Sequence, residues 1–194
     1  MPRLVNHADK RAEIVQATWR LIAERGIEAM TMRELARELG LANGTITHYF
    51  PNKLAILTAA FQHVVDATNA RYRAGGEVTG AAALRAFLLQ TLPIDEERLL
   101  EARIVIPFLE HAATNEDMAA LFRAMMDQWR AQFAELLAQA LVAGEVRPDL
   151  DARAAADGLI ALLTGVQATG VLLPDTTRPE RMIAMLDAAL EMLR

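Results

Sequence analysis

Residues Thr31 to Lys53, TMRELARELGLANGTITHYFPNK, constrain this chain more than any other stretch, because they fit a helix, a tight turn and a second short helix. Thr31 and Glu34 have capping-box spacing, in which the hydroxyl accepts the Glu34 amide proton and the carboxylate reaches back to the Thr31 amide. Leu35, Ala36 and Leu39 then face inward, and Gly40 supplies the left-handed residue that ends the helix. A second helix is expected from Asn43 to Phe50, with Ile46 and Phe50 as its inner face. Pro51 stops it, and Asn52 caps whatever follows. Two short helices joined by a Gly-containing turn make a helix-turn-helix, whose second helix is built to lie in the DNA major groove. Its outward residues Asn43, Thr45, Thr47, His48 and Tyr49 are polar, small or hydrogen-bonding, where a core helix would more often present Glu, Lys and Arg.

A net charge of −5 over 194 residues argues against a DNA partner until its distribution is considered. Residues 1–53 hold eight Lys/Arg and six Asp/Glu, a net of +2, whereas residues 54–194 carry a net of −7. Both lysines, Lys10 and Lys53, lie in the basic part. An acidic body keeps the protein soluble and repels DNA everywhere except at the basic end. Hydrophobic residues make up 53% of the chain, mostly Ala and Leu, and no Val/Ile/Thr alternation marks a strand. No apolar run is read as approaching the roughly 20 residues that span a bilayer. The start MPRLVNHADKR has no apolar stretch for a leader. The absence of cysteine excludes disulfides and thiolate metal sites, and fits a cytoplasmic location.

The rest divides into helices. One is expected from Ala8 or Asp9 to Arg25, with Ile14, Thr18, Leu21 and Ile22 inward and Gly26 at its end. A long helix follows from Lys53 to about Arg73, without a Pro- or Ser-rich linker, so the two parts of the chain are mechanically connected. Five more are expected: Gly80–Thr91; Asp95–Ala113, bent at Pro107; Glu116–Ala143; Asp151–Leu173; and a last one running to the C-terminus. That last helix opens on a second capping box, Thr177 to Glu180, with Pro179 in its first turn. The fold class is all-α with about nine helices. An N-terminal three-helix helix-turn-helix domain (residues 1–53) is joined by the long helix to a C-terminal helical ligand-binding and dimerisation domain (residues 54–194).

In the eighth helix Ala154, Gly158, Ala161, Gly165, Ala168 and Leu172 recur at steps of four and three. Glycine costs a helix about 1 kcal/mol, so such a seam implies close approach of another helix. Packing within the chain is one account. The other is a two-fold interface, in which the last helix adds Met182, Met185, Leu186, Ala189 and Leu193 to a four-helix bundle. A homodimer is expected, because DNA-reading helix-turn-helix proteins work in pairs.

The chain resembles the TetR family of bacterial transcriptional regulators. The matching positions are Thr31, Leu35, Ala36, Gly40, Asn43-Gly44-Thr45, Tyr49-Phe50, Lys53-Leu54 and Leu57, within about the first 65 residues. His48-Tyr49-Phe50 and the segment GEVRPDLDARAAADGLIALLTGV are similar to the branch of betaine-pathway (BetI-type) repressors that sense choline. The resemblance implies a phosphate contact for Thr31 and a guanine-edge contact for Arg33. Asn43 and Gly44 would enter the groove, with Asn suited to adenine, and Thr47 would meet a thymine methyl. Thr45, His48, Tyr49 and Lys53 match positions that grip the sugar-phosphate backbone. Ala42 departs from the pattern, since many members cap the recognition helix there with Ser. Either Asn43 caps in its place, or the helix starts uncapped and Asn43 is left for a base.

The resemblance also implies an effector pocket among the fourth to eighth helices, with Tyr72, Arg103, Phe108, Trp129, Phe133 and Gln167 as candidate lining residues. A quaternary ammonium cation would need aromatic faces there, of which Trp129 and Tyr72 are the rich ones. His63 with Asp66, and Glu110 with His111, lack fixed metal-ligand spacing and are expected to be solvated. No phosphate loop, nucleophile elbow or paired-carboxylate motif is present, so no catalysis, metal or cofactor is expected. Expected partners are a double-stranded DNA operator, a small-molecule effector and a second copy of the chain, without a membrane. The expected function is a ligand-responsive, homodimeric DNA-binding transcriptional regulator, a repressor released by population shift through the fourth helix. A helical metabolite-binding or enzymatic protein without specific DNA binding, and an architectural DNA binder without an effector, are the alternatives.

Overall fold

Capping side chains set most of the helix starts. The computed structural model describes residues 7–194, and α1 spans His7–Arg25. Of the segment read for a leader, residues 1–6 lie outside the described residues and the remainder opens α1. Gly26, at φ 78°, ends α1 and leads through a 3-10 turn, Ile27–Ala29, to α2 (Met32–Glu38), capped by the Thr31 hydroxyl. Gly40 then takes φ 64° and Leu41 N–H returns to the Ala36 carbonyl at 2.8 Å, which tightens the turn into α3 (Asn43–Tyr49). Asn52 caps α4 (Lys53–Ala74), whose 22 residues extend about 33 Å at about 1.5 Å each. Beyond it lie α5 (Gly80–Thr91), α6 (Glu96–Ala112), α7 (Glu116–Val142), α8 (Ala152–Leu172) and α9 (Pro179–Glu191). Asp95, Asn115 and Asp151 accept amide protons at the starts of α6, α7 and α8. Pro107 sits inside α6, which continues through it. The described residues contain these nine α-helices and no strand, as expected.

Two expectations need correction. The Thr177–Glu180 capping box does not form, because the Thr177 amide donates to the Leu173 carbonyl at 2.8 Å in the turn after α8. The N-cap moves to Arg178, which gives no side-chain cap, and α9 stops at Glu191. In addition, α8 is long and apolar enough by composition to cross a bilayer, with a mean hydropathy of 1.4 over its best window. Its apolarity comes from the Ala, Gly, Leu and Val that pack it against α5, α6, α7 and α9. Only 28% of that window is buried, so one side of α8 remains uncovered.

The core has two parts. One joins Ile14, Leu35, Ile46 and Phe50 of the first three helices and their flank to Leu57 and Phe61 of α4, Phe108 of α6 and Met118 of α7. It runs across residue 53 without a break, so the helix-turn-helix rests on the same apolar mass as α4 and α6. The second joins Leu84 and Phe87 of α5, Phe133 and Leu137 of α7, Leu163 of α8 and Met182 and Leu186 of α9.

Candidate nucleic-acid interface and effector cavity

The helix-turn-helix is braced by α1. The Arg11 guanidinium donates to the Tyr49 carbonyl at 2.5 Å and lies 4.2 Å from the centroid of the Phe50 ring, clamping the C-terminal end of α3. His7 packs on Tyr49, ring centroids 4.5 Å apart, and Tyr49 is half-buried as a result. Sequence reasoning missed both residues, because nothing local links positions 7 and 11 to a helix some forty residues later.

Only half of the Thr31–Glu34 capping box forms. Glu34 N–H donates to the Thr31 hydroxyl at 3.1 Å, but the Glu34 carboxylate pairs with Arg37 and, at 3.4 Å, with Arg25 instead of turning back. Arg33 is exposed and has neither hydrogen bond nor ion pair among the described residues. No side chain caps α3, and Asn43 is exposed without a hydrogen bond. Of the two roles weighed for Asn43, capping is therefore not the one adopted. Gly44, Thr47 and His48 share this exposed surface. The Thr47 hydroxyl donates to the Gly44 carbonyl at 3.0 Å, which orients its methyl group. Thr45 is half-buried, and Lys53, also half-buried, donates to the Ile27 carbonyl at 3.2 Å. His63 is edge-on to Trp19 at 5.1 Å.

Away from the helix-turn-helix, a cavity of about 30 Å³ lies between α4, α6, α7 and α8. Phe61, Val64 and Val65 enter it from α4, Val105 and Leu109 from α6, Phe122, Met125, Met126 and Trp129 from α7, and Ile160, Leu163, Thr164 and Gln167 from α8. Of the six expected lining residues, Trp129 and Gln167 line this cavity and four do not. Arg103 is exposed on the outer face of α6. Phe108 is fully buried, stacked on Phe61 at 3.7 Å, so it backs the wall without lining it. Phe133 belongs to the second core, and Tyr72 packs on Phe87 at 4.9 Å. The pairing of helix faces explains the difference, since Phe61 and Phe122 line the cavity while Tyr72 and Phe133 pack on the second core.

Near the far end of α4, Arg71 grips the buried Glu101 carboxylate of α6 with two hydrogen bonds of 2.7 and 2.6 Å. It also donates to the Gln90 carbonyl of α5 at 3.2 Å, tying three helices together. Burial pushes the Glu101 carboxyl above the usual carboxylate range, against the opposing pull of the Arg71 guanidinium.

On α8, Gly158, Ala161, Gly165 and Leu172 are exposed and Ala168 is half-buried, and a Cβ at Gly158 or Gly165 would meet nothing within 4 Å. The α9 half of the expected interface is different. Met182 and Leu186 are 2% and 1% exposed, because that stripe packs inward on α5 and α8, and Ala189 is half-buried. The exposed large apolar side chains on and beside this surface are Met185, Met192, Leu172 and Leu173.

Comparison with known proteins gives two family matches. Residues 14–60 match the family described as bacterial regulatory proteins, tetR family, and residues 80–194 match the BetI-type transcriptional repressor C-terminal family. The HTH-type transcriptional regulator PksA of Bacillus subtilis is 28% identical over 184 residues, covering 94% of this chain and 88% of that protein. The regulator BetI of Burkholderia thailandensis is 29% identical, with 89% and 87% covered. Among solved structures, a regulator from Saccharomonospora viridis in complex with choline superposes with a TM-score of 0.85 at 26% identity, covering 95% of this chain and 96% of that one. A transcriptional regulator from Rhodococcus sp. Rha1 gives a TM-score of 0.80 at 28% identity, covering 94% and 95%.

Proposed function

Because the chain belongs to the TetR family of transcriptional regulators, with a BetI-type C-terminal domain, we propose that it is a homodimeric repressor of a palindromic operator, released by a small molecule. It is a DNA-binding regulator and not an enzyme. The observation that carries the operator contact is the exposed surface of α3, with Asn43 uncapped and unbonded beside Gly44, Thr47 and His48. Thr31, the cap of α2, and Arg33 within it add exposed groups, while Thr45, Tyr49 and Lys53 are half-buried. Residues 1–53 read DNA and residues 54–194 sense the effector and dimerise, in the cytoplasm where the operator lies. The uncovered small-residue side of α8 supports pairing with its two-fold copy.

The small molecule occupies the cavity beside α4. A quaternary ammonium cation fits its ring faces from Phe61, Phe122 and Trp129, and choline is bound by the Saccharomonospora viridis regulator. Space for about one water is too little for such a ligand, so binding must part α4 from α7 or α8. Because α4 shares its core with the helix-turn-helix, the two recognition helices then leave the spacing of about 34–36 Å that successive major grooves require. Selection of binding sites from random duplex DNA with the purified protein tests the proposal. A palindrome with half-sites about one turn apart is expected, and failure to enrich any sequence would overturn it.

A further inference from the structure

Building on the effector cavity proposed above, we infer that its ligand is a compact, non-anionic molecule carrying a hydrogen-bond acceptor, and that the Trp129 indole N–H takes that acceptor. Trp129 lines the cavity, and its Nε1 is buried without any hydrogen-bond partner. A buried donor left unpaired is disfavoured and uncommon in folded proteins. Trp19 Nε1 and Arg71 Nε are also unpaired, but neither residue lines this cavity.

The other polar side chains of the wall each give a donor to the backbone. The Thr164 hydroxyl donates to the Ile160 carbonyl at 3.0 Å, and the Gln167 amide donates to the Thr91 carbonyl at 2.9 Å. The remaining lining is hydrocarbon, aromatic ring and thioether, with no ionisable side chain. An anion would therefore lose its hydration to a wall with no cation. A primary ammonium would bring three strongly hydrated donors to a wall whose side-chain acceptors are only the Gln167 carbonyl and the Thr164 oxygen, whereas a neutral molecule or a quaternary ammonium brings none beyond its own hydroxyl. As α4 parts from α7 or α8, Met125 and Met126, unbranched side chains that repack readily, can fit themselves around such a ligand.

Three probes of nearly the same shape separate charge from acceptor: choline; propyltrimethylammonium, which lacks the oxygen; and 3,3-dimethylbutan-1-ol, which lacks the charge. Calorimetric titration of the full-length protein should give choline an affinity about tenfold above propyltrimethylammonium, the worth of one hydrogen bond. In Trp129→Phe that ratio should fall to about one, and the alcohol should weaken by the same factor. In the unsubstituted protein, choline should also move the Trp129 indole N–H resonance while leaving that of Trp19 in place, a readout that does not depend on the variant folding. Absence of binding by choline and the alcohol, equal affinity for propyltrimethylammonium, a preference that survives in Trp129→Phe, or an unmoved indole resonance would each overturn the inference. Binding as expected with unchanged operator affinity would support the indole site and remove the effector role. Release of the operator by an anion would do the reverse.

Discussion

Gly165→Ala separates a free α8 surface from one covered by a second copy. Gly165 is exposed in mid-helix, and its Cβ would meet no atom within 4 Å in the protomer. With no packing term to oppose it, the gain in helix propensity stabilises the protomer by about 1 kcal/mol. At a urea m-value of about 1–3 kcal/mol/M, the midpoint rises by roughly 0.3–1 M. In the proposed two-fold dimer the added methyl enters the narrowest part of the interface, with an overpacking cost of about 1–3 kcal/mol that symmetry applies twice. Dimer affinity should then fall roughly 30-fold to 10⁴-fold, from about 2–6 kcal/mol in total. Sedimentation velocity across a concentration series measures the association. Urea unfolding, followed where the variant is monomeric, measures the protomer, because dimer stability depends on concentration. Gly170→Ala is the internal control. Its Cβ would lie 2.7 Å from Pro93 Cγ, so it should destabilise the protomer itself despite the same gain in propensity. If Gly165→Ala gained stability and dimerised as tightly as the parent, no partner helix would sit on this seam.

Lys53→Ala should weaken binding to all duplexes alike and flatten the salt dependence by about one unit, whereas an unchanged slope in a filter-binding series would place Lys53 away from phosphate. Thr47→Ala should change preference at one base position in a binding-site selection, and a uniform loss across sequences would make it a backbone contact. Arg11→Ala removes the hydrogen bond to the Tyr49 carbonyl and the cation over Phe50, so thermal unfolding should show a loss of about 1 kcal/mol and operator affinity should drop without a change in sequence preference. Since burial raises the Glu101 carboxyl, the folded state holds that proton more tightly than the unfolded chain does. Its contribution to stability therefore rises as pH falls from neutral through the raised value and levels off below the ordinary one. In urea titrations at several pH values, the parent should gain on Glu101→Gln toward acid pH, and movement the other way would mean that Arg71 outweighs burial.

The helix-turn-helix was legible because its determinants are local. Thr31, Gly40, Asn52 and the Ile46–Phe50 spacing each act within one turn of backbone, and each does in the fold what its residue type favours. Helix number and most boundaries followed for the same reason. Where a capping pattern met a competing partner elsewhere in the chain, near or far, the competitor won. Glu34 turns to Arg25 and Arg37 instead of completing its box, and Thr177 gives its amide to the turn after α8. Helical periodicity identified a stripe of α9 but not what covers it, and Met182 and Leu186 are covered from within the protomer. The same ambiguity moved the cavity wall from Tyr72, Arg103, Phe108 and Phe133 to Phe61, Phe122 and the methionines of α7. Arg11 on Tyr49 and Arg71 on Glu101 join residues 38 and 30 positions apart. Capping, turn conformation and helical phase are fixed by neighbours in the chain, so they can be read along it. Which faces meet, and which buried donor is left without a partner, is settled by helices packing together in space.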